Sequence, residues 1–171
     1  MAVDLVSKSL LWEYLAGTPE AGGRAVDLVP GFLRLVASRN PGIVFGIDFA
    51  DWFGLGAGAG QALTAALTVL TAGLIFYIFA SADRTRRWTH TWCGLILAGA
   101  LGNLYDRLAY GYVRDLFLFT LKVGDTDVWP FVFNAADVFL VAGVALLALA
   151  TLLGPRGGRG GVRDARGDPL P

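Results

Sequence analysis

The feature that most constrains this sequence is a run of 20 residues, 61–80, that contains no charged side chain. As a helix rising about 1.5 Å per residue, the run would be about 30 Å long, which is the thickness of the hydrocarbon core of a bilayer. Two further apolar runs, residues 88–105 and 136–154, have a similar length, although the first contains His90 and Asn103. The chain is 55% hydrophobic and only 16% charged, which is typical of a polytopic membrane protein. The sequence therefore predicts a mainly α-helical protein with three complete membrane spans.

The basic residues indicate how these helices are oriented. Arg84, Arg86 and Arg87 lie between the first two runs, and an Arg- and Gly-rich segment, residues 155–171, follows the third. If the helices alternate in direction, both basic segments lie on one side, which the positive-inside rule makes cytoplasmic. We expect residues 155–171 to form a disordered basic cytoplasmic tail and residues 1–154 a single membrane-embedded domain. The formal net charge is zero, so the charge of the chain gives no indication of a nucleic-acid partner.

The other segments give weaker signals. Residues 3–17 are partly apolar but carry three charged side chains, so we predict the outer end of a helix and not a complete span. Residues 33–49 contain strand-like stretches interrupted by Gly and Pro. Residues 115–133 alternate aromatic and polar positions around Gly124 and Asp125, which predicts a hairpin.

Two aspartates, Asp115 and Asp137, lie at the predicted ends of hydrophobic helices, and the topology above puts both at the outer face. A carboxylate near hydrocarbon is costly and often serves a function. Two carboxylates that meet can share one proton and carry out acid/base chemistry. Either aspartate alone is equally compatible with a simple interface marker. Asn103 and Asn134, whose amides can orient a carboxylate, favour a common site.

The spacing of polar residues in the second run indicates one polar helix face. Gly99, Asn103, Asp106 and Arg107 recur at intervals of three and four residues. We expect Asp106 and Arg107 to be structural, either as an ion pair at the helix end or with one of them pairing across helices.

Two other side chains are expected to have no part in chemistry. His90, next to the basic loop, is predicted to lie on the cytoplasmic side, where it cannot complete a Ser/His/Asp triad at the outer face. Cys93 is predicted to be a small buried apolar residue. With one Cys and one His, the chain does not have the residues for a zinc site of Cys and His ligands.

Five short motifs occur in a fixed order. They are DLVSK at residues 4–8, NPGIVFG at 40–46, GNLYDR at 102–107, GYVRD at 111–115 and FNAAD at 133–137. They resemble the D-Q-x-T-K, N-x-G-x-x-F-G, G-N-x-x-D-R, G-x-V-x-D and F-N-x-A-D blocks of the lipoprotein signal peptidases, the type II signal peptidases of bacteria. The first block departs from the family pattern because its Gln and Thr are replaced.

The resemblance implies a fold and a location. The expected fold is a four-helix transmembrane bundle with a small extracytoplasmic β-cradle. The family has most of a helix before its first block, whereas three residues precede Asp4 here, so we expect the first helix to be truncated. The expected location is the bacterial cytoplasmic (inner) membrane, with several spans and the active site at the outer face.

The resemblance also implies an activity. The family are intramembrane aspartic endopeptidases that remove the signal peptide from diacylglyceryl-modified prolipoproteins by cutting before the lipidated cysteine. Asp115 and Asp137 correspond to the catalytic pair. The supporting residues implied are Asp4, Lys8, Asn40, Gly99, Asn103, Arg107 and Asn134. The implied partners are lipidated prolipoproteins and membrane lipid, with the protein a monomer, and the resemblance implies no metal and no cofactor.

A second function class is a membrane transporter or proton-relay protein that uses paired intramembrane aspartates. Such a protein would carry polar residues in the middle of the bilayer, often in broken helices. Residues 61–80 and 138–153 have essentially none, which disfavours this alternative. A non-enzymatic membrane scaffold would give no reason for paired Asn and Asp residues at one face.

Overall fold

The computed structural model describes residues 1–17, 23–42, 54, 56–83 and 85–153, and within these ranges the chain is mainly helical with a small sheet. The helices are α1 (Ala2–Ala16), α2 (Ala57–Ser81), α3 (Arg87–Tyr110) and α4 (Ala135–Leu153). The predicted tail lies outside the described residues, as do Arg84 and residues 43–46 of the second motif.

The strands form two antiparallel units. They are β1 (Val26–Val29), β2 (Leu33–Asn40), β3 (Val113–Phe119), β4 (Lys122–Val123), β5 (Thr126–Asp127) and β6 (Val132–Phe133). Four of them form a sheet in the order β1-β2-β3-β6, and β4 pairs with β5. The predicted hairpin is confirmed: β4 and β5 are joined at Gly124, whose φ of 63° is favourable for glycine.

Two helices are long and apolar enough to cross a membrane in the described part of the chain, α2 from residue 58 onward and α4. They contain the predicted runs 61–80 and, apart from its last residue, 136–154. The second predicted run, residues 88–105, begins and ends inside α3. This helix has 24 residues but a polar face, so its role as a membrane span stays a prediction. The 15 residues of α1 give about 22 Å, which is short of a full span, as the charges in this segment indicated.

Glycines bring α3 and α4 into close contact. A Cβ atom added to Gly99 would collide with the carbonyl oxygen of Ala136 and with Leu140. On the opposite helix, a Cβ atom on Gly143 would lie 2.7 Å from a side-chain carbon of Ile96. Small residues permit this close backbone approach in membrane helices. The contact holds the first turn of α4 against the C-terminal half of α3.

The sheet is attached to α1 and follows directly from α3. Leu15 of α1, Leu35 of β2 and Leu116 of β3 form a buried apolar cluster. Gly111 ends α3 in a left-handed conformation, with φ 79°, and its N–H donates to the carbonyl of Arg107. Asp115 is therefore the third residue of β3, and the prediction that it lies at a helix end was wrong, because the helix stops at Tyr110.

Candidate active site

The first turn of α4 fixes the orientation of Asp137. Asn134 directly precedes the helix, and its side-chain oxygen accepts a hydrogen bond of 3.1 Å from the N–H of Asp137. In return, Asp137 Oδ2 accepts a hydrogen bond of 3.0 Å from the N–H of Asn134. This reciprocal pair is a capping box, which satisfies two amide groups that the helix itself leaves unpaired.

Asn103 of α3 holds the other oxygen of the same carboxylate. Its Nδ2 donates to Asp137 Oδ1 at 2.8 Å. Its own Oδ1 accepts from Lys8 Nζ and from Asn134 Nδ2, both at 3.1 Å. Because these donors engage the Asn103 oxygen, its amide nitrogen is directed at Asp137.

Asp115 is held by two amides and is only 1% exposed. Asn40 of β2 donates to Asp115 Oδ2 at 3.0 Å, and Asn134 Nδ2 donates to Asp115 Oδ1 at 2.6 Å. Asn134 therefore contacts both aspartates, Asp115 through its side chain and Asp137 through its backbone and side-chain oxygen. The expected common site of two Asp and two Asn residues is present.

Burial controls the protonation of Asp115. Loss of solvent raises the pKa of Asp115 to about 7, and the negative charge of Asp137 acts in the same direction. The hydrogen bonds from Asn40 and Asn134 oppose this change without cancelling it. Asp115 thus holds its proton to a much higher pH than an ordinary carboxyl group does, and the two carboxylates interact electrostatically.

A buried ammonium group lies behind the asparagines. Lys8 Nζ is 3.0 Å from Asp4 Oδ2, 3.0 Å from Asp106 Oδ2 and 3.1 Å from Asn103 Oδ1. Asp4 Oδ1 also accepts from the N–H of Ala136 at 3.0 Å, which ties α1 to α4. Lys8, Asp4 and Asp106 are fully buried, so the ion pairs compensate one another for the loss of water.

An ion pair between Asp106 and Arg107 is absent from the described ion pairs, so the expected helix-end pair was wrong. The alternative that Asp106 pairs across helices is confirmed by its contact with Lys8 of α1. Side chains of adjacent residues point in different directions around a helix. Asp106 instead accepts from Arg114 of β3, through Nη2 at 2.8 Å and Nε at 3.2 Å. Arg107 donates to the carbonyl of Gly42 at 2.7 Å, so that it holds the second motif against α3.

Two residues of this site were not singled out by the sequence. Arg114 occupies a variable position of the G-x-V-x-D motif, so the motif does not single it out. Its importance is seen only in the fold, where a buried guanidinium needs a charged partner. Gly102 is needed because a Cβ atom there would lie 2.6 Å from Asp4 Oδ2. Gly99, which the resemblance implied, acts in the same way at the contact of α3 with α4.

The other singled-out side chains lie away from this site. Cys93 is buried, as predicted. His90 is in the first turn of α3, at the opposite end from Asn103, with its Nδ1 2.9 Å from the carbonyl of Arg86. Across the described ranges, no group of three His, Cys, Asp or Glu residues is arranged to hold a metal ion.

An apolar groove of about 340 Å³ begins beside Asp137. One wall is the face of α4 that follows this residue, and the other is formed by aromatic residues of the sheet and of the segment before β6. Its lining consists of Phe119, Trp129, Phe133, Asp137, Val138, Val141, Ala142 and Ala145. A ligand in this groove would contact hydrocarbon along its length, and one end of the groove lies beside Asp137.

Comparisons with known proteins identify the family of this chain. A family model described as Signal peptidase (SPase) II matches residues 1–153. The lipoprotein signal peptidase of Methylocella silvestris is 40% identical over 148 residues, which cover 83% of this chain and 77% of that protein. The lipoprotein signal peptidase of Chlorobaculum tepidum is 34% identical over 152 residues, which cover 86% and 85%.

A solved structure supports the same relationship. A bacterial membrane enzyme, determined by the in meso method at 2.3 Å resolution, matches with a TM-score of 0.68 and 26% identity, covering 88% of this chain and 81% of that one. A second bacterial membrane enzyme, determined at 1.9 Å, matches with the same TM-score and covers 90% of this chain. The family match extends from α1 to α4 and includes all the residues of the site. The chain therefore belongs to the signal peptidase II family.

Proposed function

We propose that this chain is an intramembrane aspartic endopeptidase in which Asp115 and Asp137 are the catalytic pair. Membership of the family makes it a protease of lipoprotein processing that removes signal peptides from prolipoproteins. The observation that carries the assignment of the pair is Asn134, which binds both carboxylates. A transporter offers no comparable reason for two aspartates held by one asparagine.

The pair has the properties that peptide hydrolysis by a water molecule requires. Two nearby carboxylates do not both ionise easily, so the pair titrates in two steps. Between the two pKa values of the pair, the two aspartates share one proton. In our proposal the ionised member removes a proton from water, and the protonated member donates to the scissile carbonyl. The buried Asp115, with its raised pKa, is the proposed proton donor. The partly exposed Asp137, which lines the groove, is the proposed base.

The fixed amides make this arrangement rigid before substrate binds. Asn40, Asn103 and Asn134 each donate to a carboxylate oxygen, so neither aspartate has to reorient during the reaction. Preorganised dipoles of this kind stabilise the charge that develops in the transition state. Burial of the site strengthens their effect because water is excluded.

The apolar groove supports a lipidated substrate. We propose that it takes the apolar part of a diacylglyceryl-modified prolipoprotein, so that the bond before the lipidated cysteine lies beside Asp137. A wholly apolar groove that begins beside Asp137 suits the hydrocarbon part of a ligand whose reacting bond lies at its end. Membrane lipid is the expected occupant in the absence of substrate.

We further propose the topology and the state of assembly. The four helices form a transmembrane bundle, the sheet is an extracytoplasmic β-cradle, and the site lies at the outer face of the bacterial inner membrane. Arg86 and Arg87, at the start of α3, are at the opposite end of that helix from Asn103, which supports an inner position for the basic end. The protein is proposed to act as a monomer.

Cleavage of a lipidated prolipoprotein by the purified protein in detergent tests the pair. We expect Asp115→Asn and Asp137→Asn each to lose at least about 100-fold in rate, since general acid or base catalysis by one group contributes about that much. Asp127→Asn is the matched control, because Asp127 is exposed on β5 and pairs only with Lys122 among the described contacts. Full activity of either variant of the pair would refute the assignment, provided that thermal unfolding shows all three variants to be folded.

A further inference from the structure

Arg114 has no part in the mechanism proposed above, although it directly precedes Asp115. Its guanidinium donates twice to Asp106 Oδ1, and its backbone N–H donates to Asp106 Oδ2 at 3.0 Å. The side chain lies over the ring of Tyr110, with 4.3 Å between the guanidinium carbon and the ring centroid. Only 6% of the residue is exposed. This is a buried, charge-assisted ion pair in which both guanidinium donors share one carboxylate oxygen.

Contacts continue from this ion pair to Asp137. Asp106 Oδ2 lies 3.0 Å from Lys8 Nζ, and Lys8 Nζ donates to Asn103 Oδ1. Asn103 in turn donates from Nδ2 to Asp137 Oδ1. Each step is a hydrogen bond or ion pair of 3.2 Å or less between buried or partly buried groups.

The charges along this path balance. Asp4 and Asp106 carry two negative charges, and Lys8 and Arg114 carry two positive charges. Lys8 donates a hydrogen bond to the oxygen of Asn103, and its ammonium group is in ion-pair contact with the carboxylates of Asp4 and Asp106. If Arg114 were absent, Asp106 would have Lys8 as its only described cationic partner, and the cluster would carry one uncompensated negative charge.

We propose that Arg114 is a positioning residue for the catalytic pair. It neutralises Asp106, which leaves Lys8 free to hold the amide of Asn103 in the orientation that presents its nitrogen to Asp137. It also keeps the buried cluster beside the pair electrically neutral. This inference rests on the proposed catalytic role of Asp115 and Asp137.

Other charged groups also face the pair and stay constant in the test. Arg107 of α3 is directed at the site and contacts Gly42 and Asn103. Arg39 of β2 pairs with Arg114 across the strands, and its guanidinium lies over the ring of Tyr112. In the described part of the chain, α2 contributes no charged residue to the site.

The pH dependence of cleavage provides a test with opposite expected signs. Arg114→Gln adds a net negative charge to the cluster, so the pair holds its proton more tightly and the alkaline limit of activity moves up by about half to one pH unit. Asp106→Asn removes a negative charge, so the limit moves down by a similar amount. The double variant is neutral again, and its limit returns towards that of the wild type. Arg114→Lys retains the charge, so its limit stays at the wild-type position while kcat falls and KM changes little.

The outcomes separate the possible failures. Loss of Arg114 that acted only on folding would lower activity equally at every pH, and it would not give shifts of opposite sign that cancel in the double variant. An equal loss of activity at every pH overturns the proposal, and so does the absence of opposite shifts that cancel in the double variant. A shift in Arg114→Lys equal to that in Arg114→Gln overturns it as well. If Arg114→Gln does not fold, the downward shift of Asp106→Asn and the unshifted Arg114→Lys variant carry the test. Failure of the wild type to cleave would instead reject the proposed function.

Discussion

Asn134 is the residue at which the folding of α4 and the chemistry proposed for the site depend on the same side chain. Its oxygen caps the helix by accepting from the N–H of Asp137, and its nitrogen donates to Asp115 and to Asn103. One fully buried amide therefore uses both of its donors and its acceptor. A shorter substitution that keeps the cap oxygen but no longer reaches Asp115 and Asn103 separates the two roles.

We expect Asn134→Ser to retain the cap of α4 and to lose the bridge to Asp115. It should keep the free energy of the cap, because serine is as good an N-cap residue as asparagine, and lose about 1–3 kcal/mol with the two buried hydrogen bonds that Asn134 donates. The cleavage rate should fall more than about tenfold. Asn134→Ala should lose a further ~1 kcal/mol of stability with the cap. Thermal unfolding and cleavage assays in the same detergent measure the two effects. Wild-type cleavage by Asn134→Ser would show that the bridge is dispensable.

The raised pKa of Asp115 predicts how activity and stability depend on pH. Because Asp115 loses its proton at a pH of about 7, kcat/KM should decline as the pH rises above that value. The pKa of Asp115 in the folded protein exceeds the ordinary 3.8, so its contribution to stability is fully present below pH 3.8 and is lost as the pH rises through 7.

Asp115→Asn removes this dependence, since an amide does not titrate. The melting temperature of the variant relative to the wild type should therefore increase between pH 5 and pH 8, and the two curves should run closer to parallel at lower pH. A difference that stays constant from pH 5 to 8 would show that Asp115 ionises normally in the folded protein.

At the scale of elements, the contact between α3 and α4 sets the position of the site. Gly99 lies against the carbonyl of Ala136, one residue before Asp137. Gly99→Ala should destabilise the protein by about 1–3 kcal/mol through overpacking, and it should lower the cleavage rate by displacing the first turn of α4. Gly94→Ala on the same helix is the matched control, because a Cβ atom there meets nothing within 4 Å. Equal melting temperatures of the two variants would contradict the close contact.

The helices were predictable from the sequence because their signal is local. The apolar runs predicted α2, α4 and most of α3, and the spacing of Asn103 and Arg107 indicated the polar face. The predicted hairpin began at Asp115, and the start of its strand at Val113 was missed because a single residue, Gly111, ends α3 and begins a new element.

The pairing of strands and the connections of the site were not predictable, because they join distant parts of the chain. Asp115 lies opposite Ser38 in the sheet, and strand propensity does not specify which strand becomes the partner. Lys8 meets Asn103 across 95 positions of sequence. The order of the motifs predicted that these residues belong to one site, but it did not predict which of them contact one another.

At the scale of the whole molecule, apolar and polar residues have exchanged their usual places. Leu70, Tyr77 and Val141 are largely exposed on α2 and α4, whereas Asp4, Lys8 and other charged residues are fully buried. In water this distribution would be unfavourable, since exposed apolar area is costly and buried charge needs partners. In a bilayer it is favourable, because lipid covers the helices and the charges are paired inside the protein.

The proposed topology predicts which residues a reagent outside the cell reaches. The only cysteine, Cys93, is buried, so the wild type should react little with a membrane-impermeant maleimide. Val123→Cys, at the tip of β4 where the native side chain is 74% exposed, should be labelled in intact cells with a permeable outer membrane. Thr85→Cys, between α2 and α3 beside the basic residues, should be labelled only after the inner membrane is opened. Because the two positions flank opposite ends of α3, labelling of both in intact cells would contradict a helix that spans the membrane, and the reverse pattern would invert the proposed orientation.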